Sequence, residues 1–211
     1  MAATGGHWIK SAQGTRFVSA AGPRRSTLEG LHHTLLGLAG DDPTPYDDYG
    51  HRESREYGAY ILADGTTGRI DGDKADSCII IPDDLIDRLA GAHFVHTHPS
   101  GGSFSLDDVL LAQRAKVASM SAVGVDAGGR KWRYTVRPGP GGWKSRAEYI
   151  VAKQNAEEAV YRRGWRKLDR ARVAGRANKR FHTALESWHR DLVMKELAAR
   201  TGLEYTRERI R

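Results

Sequence analysis

Residues 7–20, HWIKSAQGTRFVSA, alternate apolar and polar positions around a Gln-Gly pair, which predicts a small β-hairpin. Ser26-Thr27-Leu28-Glu29 has the form of a helix-capping box, and Leu28, Leu31, Leu35 and Leu38 follow at helical spacing. A short amphipathic helix is expected there, with His32 and His33 as ordinary members. Residues 40–50, GDDPTPYDDYG, are rich in turn formers and acid and read as a linker. From Glu56 the pattern becomes strand-like. Tyr57–Ala63 forms one run, closed by the turn residues DGTTG, and Cys78–Ile81 forms a second, continuous apolar run of the kind buried on both faces. Asp83 is placed to cap a short helix through Leu89. Phe94–Thr97 is the next strand. Ser105 then opens a helix with Leu106, Val109, Leu110 and Val117 on one face. Residues 120–137 read as a second hairpin around Asp126-Ala127-Gly128-Gly129.

The segment RPGPGG, residues 137–142, is the clearest boundary in the chain. It suggests three parts: residues 1–50 with the hairpin, helix and linker; a core over 51–140; and a C-terminal region over 141–211. Two long helical patterns, roughly 145–172 and 176–200, occupy that last region. Trp143, Tyr149, Trp165, Phe181 and Trp188 give it apolar anchors, so it is expected to pack rather than extend freely.

Composition narrows the setting. With 211 residues and 39% hydrophobic content, the chain can bury a core without disulfide staples. Cys78 is the one cysteine, which fits a reducing compartment and a small core residue. No run of about 18 apolar residues and no apolar N-terminal signal core are present, so a cytoplasmic protein without a membrane role is expected. The net charge of +7 is uneven. From Trp143 onward 18 Lys and Arg face 9 Asp and Glu, which leaves the first part slightly acidic. Such a basic tail is either a solvated helical surface or a face for nucleic acid or another acidic partner.

The chemistry concentrates in His96-Thr97-His98-Pro99-Ser100-Gly101-Gly102-Ser103-Phe104-Ser105-Leu106-Asp107-Asp108. Residues i and i+2 of a strand share a face, so His96 and His98 can converge on one ion. Asp108 falls at the third position of the following helix and can return toward the strand end. Two imidazoles and a carboxylate suit Zn2+ and leave a coordination position open, as a catalytic zinc requires. A Gly-rich loop between them allows close approach of a substrate. Taken separately, H-x-H is common in strands and S-x-x-D is an ordinary capping box. Their order and proximity make the metal reading stronger than either half.

The segment resembles the signature H-x-H-P…S-x-x-D of the JAMM (MPN+) zinc metallopeptidases, a family that includes deubiquitinating isopeptidases, RadC-type proteins and phage tail-assembly peptidases. The resemblance covers about residues 53–137. It implies an α/β fold, a curved mixed sheet flanked by helices in a cytidine-deaminase-like layout, here with a basic C-terminal helical extension. It implies His96, His98 and Asp108 as zinc ligands and Ser105 as a hydrogen-bond donor to the oxyanion or substrate carbonyl. It further implies a glutamate from an upstream strand as general base and later acid. Glu56, at the start of EYGAYIL, fits best, and Glu53 is the reserve. Two departures stand out. Six residues separate His98 from Ser105 where the family usually has seven, and the glycine after Glu56 comes one position early.

The resemblance therefore implies a zinc-activated water attacking an amide or isopeptide bond of a protein or peptide, including a ubiquitin-like one. Two alternatives remain. One is a phage or mobile-element assembly protein with a JAMM-like maturation domain, since GGHWIKSAQGTRFV loosely resembles segments of phage virion proteins. The other is a RadC-like, nucleic-acid-associated protein that uses the basic helices. A zinc deaminase would need H-x-E and P-C-x-x-C, which this chain lacks.

Overall fold

A computed structural model describes residues 6–11, 14–19, 28–41, 55–72, 79–126, 128–173 and 179–211. Cys78 and Glu53 lie outside the described residues, as do most of the expected linker and the side chains of Trp165 and Phe181. The fold is mixed α/β, with one sheet flanked by helices. The strands are β1 (Gly6–Ser11), β2 (Gly14–Ser19), β3 (Tyr57–Ile61), β4 (Thr67–Asp71), β5 (His93–Thr97), β6 (Ser119–Val125), β7 (Lys131–Arg137) and β8 (Glu204–Ile210). The helices are α1 (Leu28–Asp41), α2 (Asp83–Arg88), α3 (Leu106–Arg114), α4 (Arg146–Val173) and α5 (Lys179–Thr201). Strand order across the sheet is β1-β2-β4-β3-β5-β6-β7-β8. Neighbours run antiparallel except β5 and β6, which are parallel and joined through α3.

Strand alternation sorts the core onto two faces. Ala59, Val95 and Val123 point to one face, where Leu35 and Leu36 of α1 cover them. Tyr60, Phe94, Met120, Ala122, Tyr134 and Val136 point to the other, beneath residues of α2, α3, α4 and α5. The leucine spacing of α1 thus finds its partner in the middle of the sheet. His32 of that helix is buried, and its Nδ1 accepts a hydrogen bond from Arg133 on β7.

Both expected hairpins form, in the registers Trp8↔Phe17 and Ala122↔Tyr134. Three local expectations are corrected. Ile79–Ile81, the described part of the expected Cys78–Ile81 strand, is not a strand: it runs into Pro82, which lacks the amide a ladder needs and leads into α2. Ile79 and Ile81 pack on the core instead, while Ile80 is exposed. Asp83 does not cap α2. Pro82 holds the N-cap position without a side-chain hydrogen bond, and the Asp83 carboxylate accepts from Arg114 of α3 at 3.1 Å. Val117 is buried but lies beyond α3, which ends before Lys116 turns to φ 50°. Two strands join the sheet without having been expected, β4 and β8. β8 pairs with β7 along its whole length, and α4 and α5 share the larger core cluster, so the segments flanking Gly139–Gly142 meet in one sheet and one core.

Candidate metal centre

The centre forms where β5 ends and the loop to α3 begins, at the C-terminal edge of the parallel pair. The His98 amide donates to the Val123 carbonyl at 2.8 Å, so β5 stays attached to β6 for one residue beyond its last ladder position. Phe94, His96 and His98 alternate onto the same face. Gly58 of β3 stands opposite His96, and continuing that antiparallel register brings Glu56 opposite His98. Sequence-distant Glu56 therefore projects from the same face as the two histidines. The Tyr57 amide donates to Thr97 Oγ1 at 2.8 Å and holds this end of β3 to β5.

His96, His98 and Asp108 each offer one ligand atom, and these atoms lie within 4.8 Å of one another. The imidazole Nε2 atoms are 2.8 Å apart. Asp108 Oδ1 is 3.3 Å from His96 Nε2, and Oδ2 is 3.6 Å from His98 Nε2. This group could hold a metal ion. The His98 tautomer follows from its neighbour: Nδ1–H donates to the Gly102 carbonyl at 2.9 Å, which leaves the Nε2 lone pair facing the centre. His96 is held by packing, between Phe94 and Phe104 at ring-centroid distances of 5.9 and 6.0 Å, and its buried Nδ1 has no hydrogen-bond partner among the described residues.

Asp108 is aimed by the capping box that opens α3. Ser105 Oγ accepts from the Asp108 amide at 3.1 Å. The Ser105 amide and hydroxyl both donate to Asp108 Oδ2, at 2.6 and 2.7 Å. Oδ1 remains directed at His96. One residue pair thus starts the helix and orients a carboxylate. The Ser105 hydroxyl that the resemblance assigns to an oxyanion is engaged by that carboxylate.

Electrostatics follow from burial. Burial pushes the Glu56 carboxyl up to about 7, against a lowering by His96 and with a further rise from Asp108. Burial and the neighbouring His96 push His98 down to about 4, so its ring is neutral near pH 7. The positive charge of Arg190 on α5 adds to that lowering. For Asp108, the effect of burial is outweighed by the two histidines and Ser105, which hold it below the usual carboxylate range. Burial depresses His96, but the Asp108 charge and hydrogen bond, with Glu56, bring it above its ordinary value. The centre is a group of proton and cation binders in which His96 is buried and His98, Asp108 and Glu56 are half-buried.

Glycines shape the wall. A Cβ on Gly124 would lie 2.2 Å from the His98 carbonyl oxygen and 2.9 Å from Gly101 Cα, both backbone atoms. Gly124→Ala is expected to push the loop off β6, costing about 1–3 kcal/mol of stability and weakening metal binding. Denaturant melts with and without metal check this; an alanine protein equal to wild type in both would refute the close approach. Of the five residues expected from the sequence, the structure brings His96, His98 and Asp108 together, ties Ser105 to Asp108 by hydrogen bonds, and sets Glu56 in electrostatic contact with His96 and Asp108. The Gly102 carbonyl, the Phe94–Phe104 clamp and Gly124 are supplied by the fold without a local sequence pattern. Phe104, a lone aromatic within a Gly/Ser loop, comes nearest to one.

Compared with known proteins, the chain matches no family model, no curated protein and no solved structure. Among the described residues, no helix is long and apolar enough to cross a membrane.

Proposed function

We propose that the chain is a zinc-dependent metallopeptidase of the JAMM type, hydrolysing an amide or isopeptide bond of a protein or peptide. One observation carries the reading: His96, His98 and Asp108 converge at the end of β5, and Glu56, the residue before β3, interacts electrostatically with His96 and Asp108. The central β3-β5-β6 arrangement and its helical cover are compatible with the curved sheet expected of that family. The donor set fits zinc, with two borderline imidazole nitrogens, one carboxylate oxygen and a ligand-orienting hydrogen bond at His98.

Bound zinc would supply a Lewis acid and lower the pKa of a coordinated water to about 7. The chain's own residues supply the rest. Asp108 and the histidines fix the position of the ion. Glu56, half-buried near them, takes up a proton from the attacking water and returns it to the leaving nitrogen. Phe94 and Phe104 keep the surroundings of His96 apolar, which strengthens each charge interaction there. Ser105 acts first as the orienter of Asp108, and its hydroxyl can face a substrate carbonyl only by leaving that carboxylate.

The test is metal analysis of the purified full chain together with cleavage of isopeptide-linked and linear peptide substrates. About one zinc per chain and chelator-sensitive hydrolysis are expected. A folded protein that takes up no zinc from a metal-buffered solution would overturn the assignment.

A further inference from the structure

The C-terminal strand and helix reach the metal-site loop through a buried chain of hydrogen bonds. Asp191 of α5 is 1% exposed, and its carboxylate accepts from Lys195 at 2.8 Å and from Arg207 at 3.1 Å. It also accepts from the Tyr205 hydroxyl at 2.8 Å. Tyr205 has then used its one hydroxyl hydrogen, so in its 2.8 Å contact with Ser103 the serine donates. Ser103, also 1% exposed, follows directly on Gly102, whose carbonyl orients His98. On the other side of that carbonyl, Gly101 O accepts from Tyr134 of β7 at 3.0 Å. The Gly102 peptide is thus pinned from both neighbours, once by β7 and once by β8.

We propose that Tyr205, anchored on Asp191, is a positioning residue of the metal centre, acting through Ser103 to hold the Gly102 carbonyl where it fixes the His98 tautomer and ring. The proposal rests on the reading of His96, His98 and Asp108 as a metal site. Its physical basis is that a ligand histidine takes its lone-pair direction from the hydrogen bond at its other nitrogen, and that bond is only as rigid as the acceptor. A glycine-rich loop gives its own carbonyls little restraint. Here, besides Tyr134 of β7, the restraint comes from Tyr205, 102 residues along the chain from Ser103 and in the basic C-terminal region. That region is then part of the centre's construction rather than an appendage to it. Arg207 supports the same end of β8, with its guanidinium 4.1 Å from the Trp132 ring centroid and 5.8 Å from that of Tyr134.

Tyr205→Phe tests this, since it removes only the hydroxyl and leaves Asp191 paired with Lys195 and Arg207. Zinc affinity is measured by competition with a chromophoric chelator, and the cobalt-substituted protein gives a ligand-field spectrum of the site. The expected result is roughly a tenfold or greater loss of zinc affinity with an altered cobalt spectrum, within the range seen when partners of ligand histidines are removed. Ser103→Ala should reproduce the loss, and the double variant should lose no more than either single one, because the two act through one bond. Ser103→Ala also serves if Tyr205→Phe fails to fold. A purely structural brace would lower the melting temperature while leaving zinc affinity and the cobalt spectrum at wild-type values, and that result overturns the proposal. Wild-type protein that binds no metal overturns the metal reading itself, and is distinguished from the former by the wild-type titration alone.

Discussion

Replacing His98 with alanine is expected to abolish the stabilisation of this protein by zinc. An ion that binds only the folded chain contributes RT ln(1 + [L]/Kd), about 4 kcal/mol at a thousandfold excess over Kd. For a chain of this length each kcal/mol moves the melting temperature by about 2–4 °C, so saturating zinc should raise it by roughly 10 °C. His98→Ala removes one of three ligands and the tautomer lock with it. The rise should vanish, together with hydrolysis. The substitution also has a metal-independent cost, since it leaves a small cavity and deprives the Gly102 carbonyl of its donor; about 1–2 kcal/mol is expected. Comparing each protein with and without zinc separates the two contributions. A His98→Ala protein whose melting point still rises with zinc as in wild type would remove His98 from the site.

Glu56→Gln should lower turnover by roughly 10²–10⁴-fold while zinc content stays unchanged, the loss typical of removing a general base. The pH dependence carries its own sign. A base works in its ionised form, and burial holds Glu56 protonated up to about 7. In wild type the rate should therefore rise with pH through the neutral range and level off above it, with any bound cation moving the rise to lower pH. That limb should disappear in the glutamine variant. The same burial affects stability. The carboxyl binds its proton more tightly in the folded chain than in the unfolded one, so between pH 4.5 and about 7 the metal-free protein loses stability as pH rises. Metal-free Glu56→Gln should accordingly be more stable than wild type at pH 8, by about 1–3 kcal/mol. Chemical denaturation across pH checks this without any substrate. A variant that cleaves at the wild-type rate would reject Glu56 as the base and turn attention to Glu53.

Several elements of the fold could be read in advance because their signals are local. Leucines at helical spacing specify α1, while the capping-box residues Ser26 and Thr27 lie outside the described residues; Ser105 with Asp108 specifies the start of α3 through bonds only three residues apart. The histidine pair could likewise be assigned to one face from strand geometry alone. The run ending at Ile81 is ambiguous in sequence because consecutive apolar residues satisfy a strand and a packed loop equally; in the fold Ile79 and Ile81 pack on the core and Ile80 is exposed. β8 escaped notice because EYTRERI is a charged edge strand, whose single ladder to β7 leaves little hydrophobic trace.

What the sequence determined by itself, then, is the set of candidate ligands and their spacing, since strand alternation and the capping box act over a few residues. Tertiary structure decided which atoms face one another. Register between β3 and β5 brings Glu56 to the histidine face, and the Gly124–Gly101 approach lets the loop close on β6. The pairing of β8 with β7 carries Tyr205 to Ser103 across 102 residues of chain. Such contacts depend on the packing of distant segments, and no local pattern encodes them.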